Sequence, residues 1–312
     1  MSGAKVPFSL AVVTLVAQLG VACGGSAGGA PGAETAVSSG NQGEPAAGKK
    51  PRGDGELDSL DALRRKLEAS AGKELDLAAK GWGLELGKLL GGATTLEGLE
   101  KLDVSDNDLG PEGARGLLGS THLGKLAVLD LGGNEIGDDG AKALGAGKLE
   151  HLTTLNLSGN GITAQGAVSL AQSHGYPNLA SLDLSMNPIG ADGVKALSSG
   201  SLGKLNALFL LGSEIGADGA KALAKTSLKL KVLALSGNSL GDDGAKALAG
   251  SAKLSSLSTL DLSANSIGDA GAKALAASPH LKGLSKLEMF ANDLSDAGKS
   301  ALSKRFGDAV KL

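Results

Sequence analysis

From residue 99 onward the chain repeats one arrangement of apolar and polar positions. Leu126-Ala-Val-Leu129-Asp-Leu131-Gly-Gly-Asn134-Glu-Ile136-Gly137 is preceded by a related segment at Leu99 and followed by others at Leu152, Leu179, Leu205, Leu230, Leu257 and Leu284. The second leucine of each copy stands at 102, 129, 155, 182, 208, 233, 260 and 287, an interval of 25 to 27 residues. Within a copy, Leu-x-Leu alternates with the two-residue period of a strand. An asparagine and a glycine turn follow. Then comes an acidic start and an Ala- and Leu-rich stretch, as in Asp242-Asp-Gly-Ala-Lys-Ala-Leu-Ala249, which predicts a short helix. One strand and one helix cannot bury their leucines alone, but stacked copies share a continuous core. A degraded copy lies one period upstream, where Leu75-Asp-Leu77 aligns with Leu102-Asp-Val104 and Trp82 takes the Ile136 position. Ahead of it, Glu56 to Ser70 reads as an amphipathic helix through Leu57, Leu60, Leu63 and Leu67, suited to cap the first repeat.

The pattern Leu-x-x-Leu-x-Leu-x-x-Asn-x-Ile/Leu is met in seven of eight copies, with Val104 and Met289 as leucine equivalents. It resembles the leucine-rich repeat family, in its longer ribonuclease-inhibitor-like class. The resemblance spans about residues 75–312 and implies an α/β solenoid, a horseshoe with parallel strands on the concave face and helices on the convex face. It also implies that each asparagine side chain bonds the backbone of adjacent turns in a ladder. The exception is Ser213, which is too short to donate and accept at the reach of asparagine, so a weak rung is expected there. Function is not implied, since inhibitors, receptors, effectors and GTPase regulators share the fold.

In such a fold the residues between the leucines face outward on the strand side. These are Lys101, Asp103 and Ser105, then Val128, Asp130 and Gly132, then Thr154, Asn156 and Ser158, then Ser181, Asp183 and Ser185. Ala207, Phe209 and Leu211 come next, then Val232, Ala234 and Ser236, then Thr259, Asp261 and Ser263, and finally Lys286, Glu288 and Phe290. The middle position is acidic or amide in every copy but the fifth and sixth. Ala207, Phe209, Leu211 and Val232 therefore form a candidate apolar partner patch within an acidic, serine-rich strip, with Asp130, Asp183, Asp261 and Phe290 as further candidate contacts. The reading against it is drift on an unused surface. On the helices, Arg115, Lys142, Lys195, Lys221, Lys246 and Lys273 recur beside acidic helix starts, the pattern of a solvated face.

The N-terminus is different. Val6 to Ala22 is a seventeen-residue run, too short and too polar for a membrane span but suited to a secretory signal, residues 1–22. The only cysteine, Cys23, follows at once. This resembles the lipobox of bacterial lipoproteins, which implies diacylglycerol on Cys23, although Leu19 sits one residue further from the cysteine than the family pattern prefers. Residues 23–55 are rich in Gly, Ala, Ser and Pro, without Leu, Ile or Phe, and read as a tether. The expected organisation is completed by the cap and degenerate repeat (56–98) and the eight repeats with a C-terminal cap (99–312). The expected location is a bacterial cell envelope, outer membrane favoured by Gly24, or secretion.

Composition narrows the function. Fifty glycines among 312 residues is about 16%, and six aromatics leave the apolar content almost wholly aliphatic. Without aromatic platforms or a basic balance, at net charge −3, no nucleic-acid partner is expected. Gly119-Ser-Thr-His-Leu-Gly124-Lys125 has the spacing of a phosphate loop, but Leu126 stands where Ser or Thr is needed and the order is helix to strand. His122, His151, His174 and His280 are too dispersed to share a metal. No catalytic residue, cofactor or metal is expected. The expected function is a non-catalytic scaffold binding a protein or peptide on its concave face; the alternative is an effector-like or GTPase-regulator-like adaptor inside a cell.

Overall fold

The structure is a computed structural model that describes residues 59–69 and 72–312. The expected signal segment, Cys23, the tether and Leu57 lie outside the described residues.

The chain alternates strand and helix. A first helix, α1 (Leu60–Ala69), precedes β1 (Glu74–Asp76), α2 (Gly83–Gly91), β2 (Lys101–Asp103), α3 (Gly110–Leu118), β3 (Val128–Asp130) and α4 (Gly137–Ala146). Then follow β4 (Thr154–Asn156), α5 (Ala164–Gln172), β5 (Ser181–Asp183), α6 (Gly190–Ser199), β6 (Ala207–Phe209) and α7 (Gly216–Leu223). The series ends with β7 (Val232–Ala234), α8 (Gly241–Ala249), β8 (Thr259–Asp261), α9 (Asp269–Ala277), β9 (Lys286–Glu288), α10 (Asp296–Phe306) and β10 (Val310–Lys311).

Among the described residues the strands form one ten-stranded sheet in sequence order. Pairing is parallel with each repeat in register, so that Leu102, Leu129, Leu155, Leu182, Leu208, Leu233, Leu260 and Leu287 make one column. Those leucines are at most 1% exposed and share one core with the Ile136, Ile162, Ile189, Ile215 and Ile267 layer and with the inward helix leucines. Each fully buried leucine contributes about 2 kcal/mol, so identical layers provide the stability that a single repeat lacks. Leu63 and Leu67 of α1 join this core, and Leu302 and Val310 extend it at the other end. Strands about 4.8 Å apart and helices about 8–10 Å apart cannot stack straight, so the strand side is the inner curve.

The turns account for much of the glycine. The residues on either side of the ladder position take positive φ, as do the glycines that begin several helices: Gly133 at 64°, Glu135 at 54° and Gly137 at 58° in one repeat. Glycine adopts this conformation without a Cβ penalty. A second use is close packing of a helix against the turn that precedes it. A Cβ on Gly219 would lie 2.6 Å from the Ile215 Cβ, closer than packed atoms approach.

The acidic helix starts bind across repeats rather than capping their own helices. The residues at the N-caps of α4, α6, α7 and α8 are Ile136, Ile189, Ile215 and Leu240, without side-chain caps. Asp138 instead reaches the next repeat, where its Oδ1 accepts from Thr163 N (2.8 Å) and Gly166 N (2.9 Å). Asp242 likewise accepts from Gly268 N and Gly271 N, both at 2.8 Å. Asp269 accepts from Ser295 N at 3.0 Å and from the Ser295 hydroxyl, a bond that holds its carboxyl below the usual range. Helices packed side by side put the acid of one within reach of its neighbour's free N–H groups, so the cap is an interaction between repeats.

Candidate functional site

The asparagine ladder borders the strand face. Asn134 donates Nδ2 to Val104 O (2.9 Å) and Leu131 O (3.0 Å), and its Oδ1 accepts from Asn107 N (3.2 Å) and Leu109 N (3.3 Å) of the preceding repeat. Asn160, Asn187, Asn238, Asn265 and Asn292 repeat this two-sided role. At Ser213 the donor half survives, since Oγ bonds Leu184 O at 3.2 Å. The acceptor half is lost: Ile189 N turns to Asn187 O of its own loop at 2.7 Å, and no bond links Asn187 N to the serine. The expected weak rung is present, for the reason of side-chain length.

Across the strand face the register column runs Asp103, Asp130, Asn156, Asp183, Phe209, Ala234, Asp261, Glu288. The recurrence of aspartate has a local cause as well as an outward-facing one. Oδ1 of Asp103, Asp130, Asp183 and Asp261 accepts from the backbone N–H two residues on, at 2.8–3.0 Å, which fixes the turn that leaves the strand. Phe209 cannot do this, and Ser185 substitutes: its Oγ accepts from Leu211 N at 3.2 Å.

Asp130, Asp183 and Asp261 are held in an environment that disfavours their charge. Burial, reinforced by Asp103, pushes the Asp130 carboxyl up to about 6, against the lowering effect of bonds from Gly132 N and Asn156 Nδ2. Burial also raises Asp183 and Asp261. Among the described residues none of Asp103, Asp130, Asp183 and Asp261 has an ion-pair partner, whereas Glu288 is paired with Lys286 at 3.0 Å.

Phe209 corrects the expectation of an exposed aromatic anchor, because it is only 4% exposed although it stands outside the leucine core cluster. It occupies a central strand on the inner curve, where outward side chains converge and enclose a large ring. Ala207 and Val232 are half-buried, and Leu211 is 39% exposed. The patch gains a member that the outward-position count missed. Met186 is 61% exposed and takes φ of 57°, a left-handed conformation unusual for a long side chain. Its N–H bonds Leu211 O at 2.6 Å, and its Sδ would lie 2.9 Å from a Cβ placed on Gly212. The signal was present in the sequence, since the equivalent positions are Asp106, Gly133, Gly159, Gly212, Gly237, Ala264 and Ala291. Met186 and Leu211 therefore form the exposed lip of a shelf floored by Phe209, beside Ala207, Val232 and Ala234.

Phe290, 47% exposed, lies on the far side of β8 from this shelf and is not brought together with it. On the helix face the basic row is solvated and locally paired, with Arg115 to Glu112 (2.6 Å), Lys221 to Asp218 (2.7 Å) and Lys246 to Asp243 (3.4 Å). Among the described residues there is no group of three or more His, Cys, Asp or Glu placed to hold a metal, and no helix is long and apolar enough to cross a membrane.

Comparison with known proteins agrees with this geometry. A sequence comparison with curated proteins finds no match. A chain from the crystal structure of the yeast Rad7 and Elc1 complex is similar in fold, with a TM-score of 0.51 and 18% identity over 77% of this chain. The chain spans 64% of that relative's length. The family model for the leucine-rich repeat matches residues 99–118, 125–145, 148–171, 177–198, 226–249 and 253–276. With ten parallel strands alternating with helices around one leucine core, the chain carries leucine-rich repeats stacked as an α/β solenoid.

Proposed function

We propose that this chain is a non-catalytic protein-interaction scaffold that engages a protein or peptide partner on its strand face and is tethered at a bacterial cell envelope through lipid on Cys23. The observation that carries the binding part is the exposed Met186 and Leu211 shelf on an otherwise polar face, since an apolar patch rimmed by polar groups is the usual mark of a partner surface. The likeness to a chain crystallised within a protein complex accords with a scaffold and extends to fold alone. The tether rests on the sequence of residues 1–55, with the apolar run ending directly before Cys23.

Two experiments test the parts separately. Metabolic labelling with a fatty acid is expected to mark the wild type and spare Cys23→Ala; an unlabelled wild type ends the lipid anchor. In crosslinking on intact cells, Leu211→Ser combined with Met186→Gly is expected to lose partners that Lys142→Ala retains. Identical partner sets for the two variants would remove the strand-face reading.

A further inference from the structure

We infer that the shelf accepts an extended peptide segment of the pattern cation, any residue, bulky apolar residue, any residue, cation. The inference deepens the strand-face reading above and rests on it.

Spacing and charge both lead to this segment. The apolar gap in the acidic column is two strands wide, at Phe209 of β6 and Ala234 of β7. Asp183 closes it on one side and Asp261 on the other. Those two aspartates are three inter-strand steps apart, about 14 Å at about 4.8 Å per step. An extended segment crossing the strands covers that distance in four residues at about 3.4 Å each, which places cations at the first and fifth residues and one side chain over the gap between them. That side chain meets Ala234 and Val232 on one flank and Leu211 and Met186 on the other.

Charge complementarity selects a cationic partner rather than a purely apolar one. Asp183 and Asp261 are largely buried carboxylates without ion pairs, each with one oxygen engaged by its own turn. A guanidinium or ammonium placed at the other oxygen supplies the counter-charge that Asp183 lacks, adds to that of Lys286 at Asp261, and recovers part of the desolvation cost. Asp130 and Asp103 continue the acidic strip beyond Asp183, so longer basic segments extend on that side, whereas Lys286 limits extension beyond Glu288. The left-handed Met186 fits the same picture, because glycine would relieve the backbone and would remove the lip.

The test uses the full chain and a fluorescent peptide containing Arg-Thr-Phe-Thr-Arg, read by anisotropy. Saturable binding is expected, weakening at least tenfold when Phe becomes Ser, when both Arg become Glu, or when two residues are inserted between the Arg positions. On the protein, Asp183→Asn with Asp261→Asn and, separately, Met186→Gly are expected to weaken binding several-fold, and Met186→Gly keeps the fold because glycine suits φ of 57°. Binding is also expected to fall as salt rises. Absence of saturable binding up to about 1 mM, or binding indifferent to the Phe or to the Arg spacing, overturns the pattern. If crosslinked partners still depend on Leu211 and Met186 while this peptide fails to bind, the pattern falls and the strand-face reading stands. If the crosslinked partners are also unchanged, both fall.

Discussion

Restoring the missing ladder rung by Ser213→Asn isolates the contribution of one side chain to the coupling between repeats. In the present structure the serine bonds Leu184 O but leaves Asn187 N without an acceptor, and Ile189 N closes on Asn187 O instead. An asparagine here would accept from both, as Asn187 does from Asn160 N (3.0 Å) and Ile162 N (2.9 Å). Because Ile189 N already has a partner, the net gain is one well-made buried bond, about 1 kcal/mol. For a domain of this size that raises the melting temperature by about 2–4 °C. The mirror substitution Asn160→Ser removes the acceptor of Asn134 N and Ile136 N while its hydroxyl can keep the bond to Leu131 O, as Ser213 keeps that to Leu184 O, so it costs about 1–2 kcal/mol. Urea and thermal unfolding measure both, and amide hydrogen exchange at Asn187 reads the rung directly, with slower exchange expected in Ser213→Asn. If exchange at Asn187 and stability are unchanged in Ser213→Asn while Asn160→Ser loses the expected amount, the serine gap is not a weak point and the reasoning fails.

Two other predictions concern charge and packing. The folded Asp130 carboxyl, at about 6, is raised above its ordinary 3.8, so it binds protons more readily folded than unfolded. Its penalty is therefore present above pH 6 and is relieved as pH falls from 6 towards 4. A shift of about two units bounds the penalty near 3 kcal/mol, and Asp130→Asn, which disturbs the bond from Asn156, is expected to stabilise the protein by about 1–2 kcal/mol at neutral pH and by little at pH 4; equal effects at both pH values in urea unfolding would contradict the assignment. Gly219→Ala drives a methyl group to within 2.6 Å of the Ile215 Cβ and is expected to cost about 1–3 kcal/mol, whereas the same change at Gly203, where nothing lies within 4 Å, leaves stability near wild type.

The repeat, its leucine column, the outward positions and the rung that fails at Ser213 are all legible in the chain's own pattern. All of these follow from a pattern that recurs every 25 to 27 residues, so each copy's neighbours are known from the copy itself. It also located the apolar interruption at Phe209. Tertiary structure decided what the interruption presents. Alternation along a strand tells which side a residue faces but not how much of it water reaches, and the crowding of the inner curve buries Phe209 while leaving Met186 and Leu211 as the lip. The same limit applies to the acidic helix starts. Their order in the chain suggests caps for their own helices, and only the side-by-side packing of successive repeats gives Asp138 and Asp242 the free N–H groups of the next repeat to bind. Local pattern fixes conformation and facing, and distances between layers, which no single repeat contains, fix exposure and partner choice.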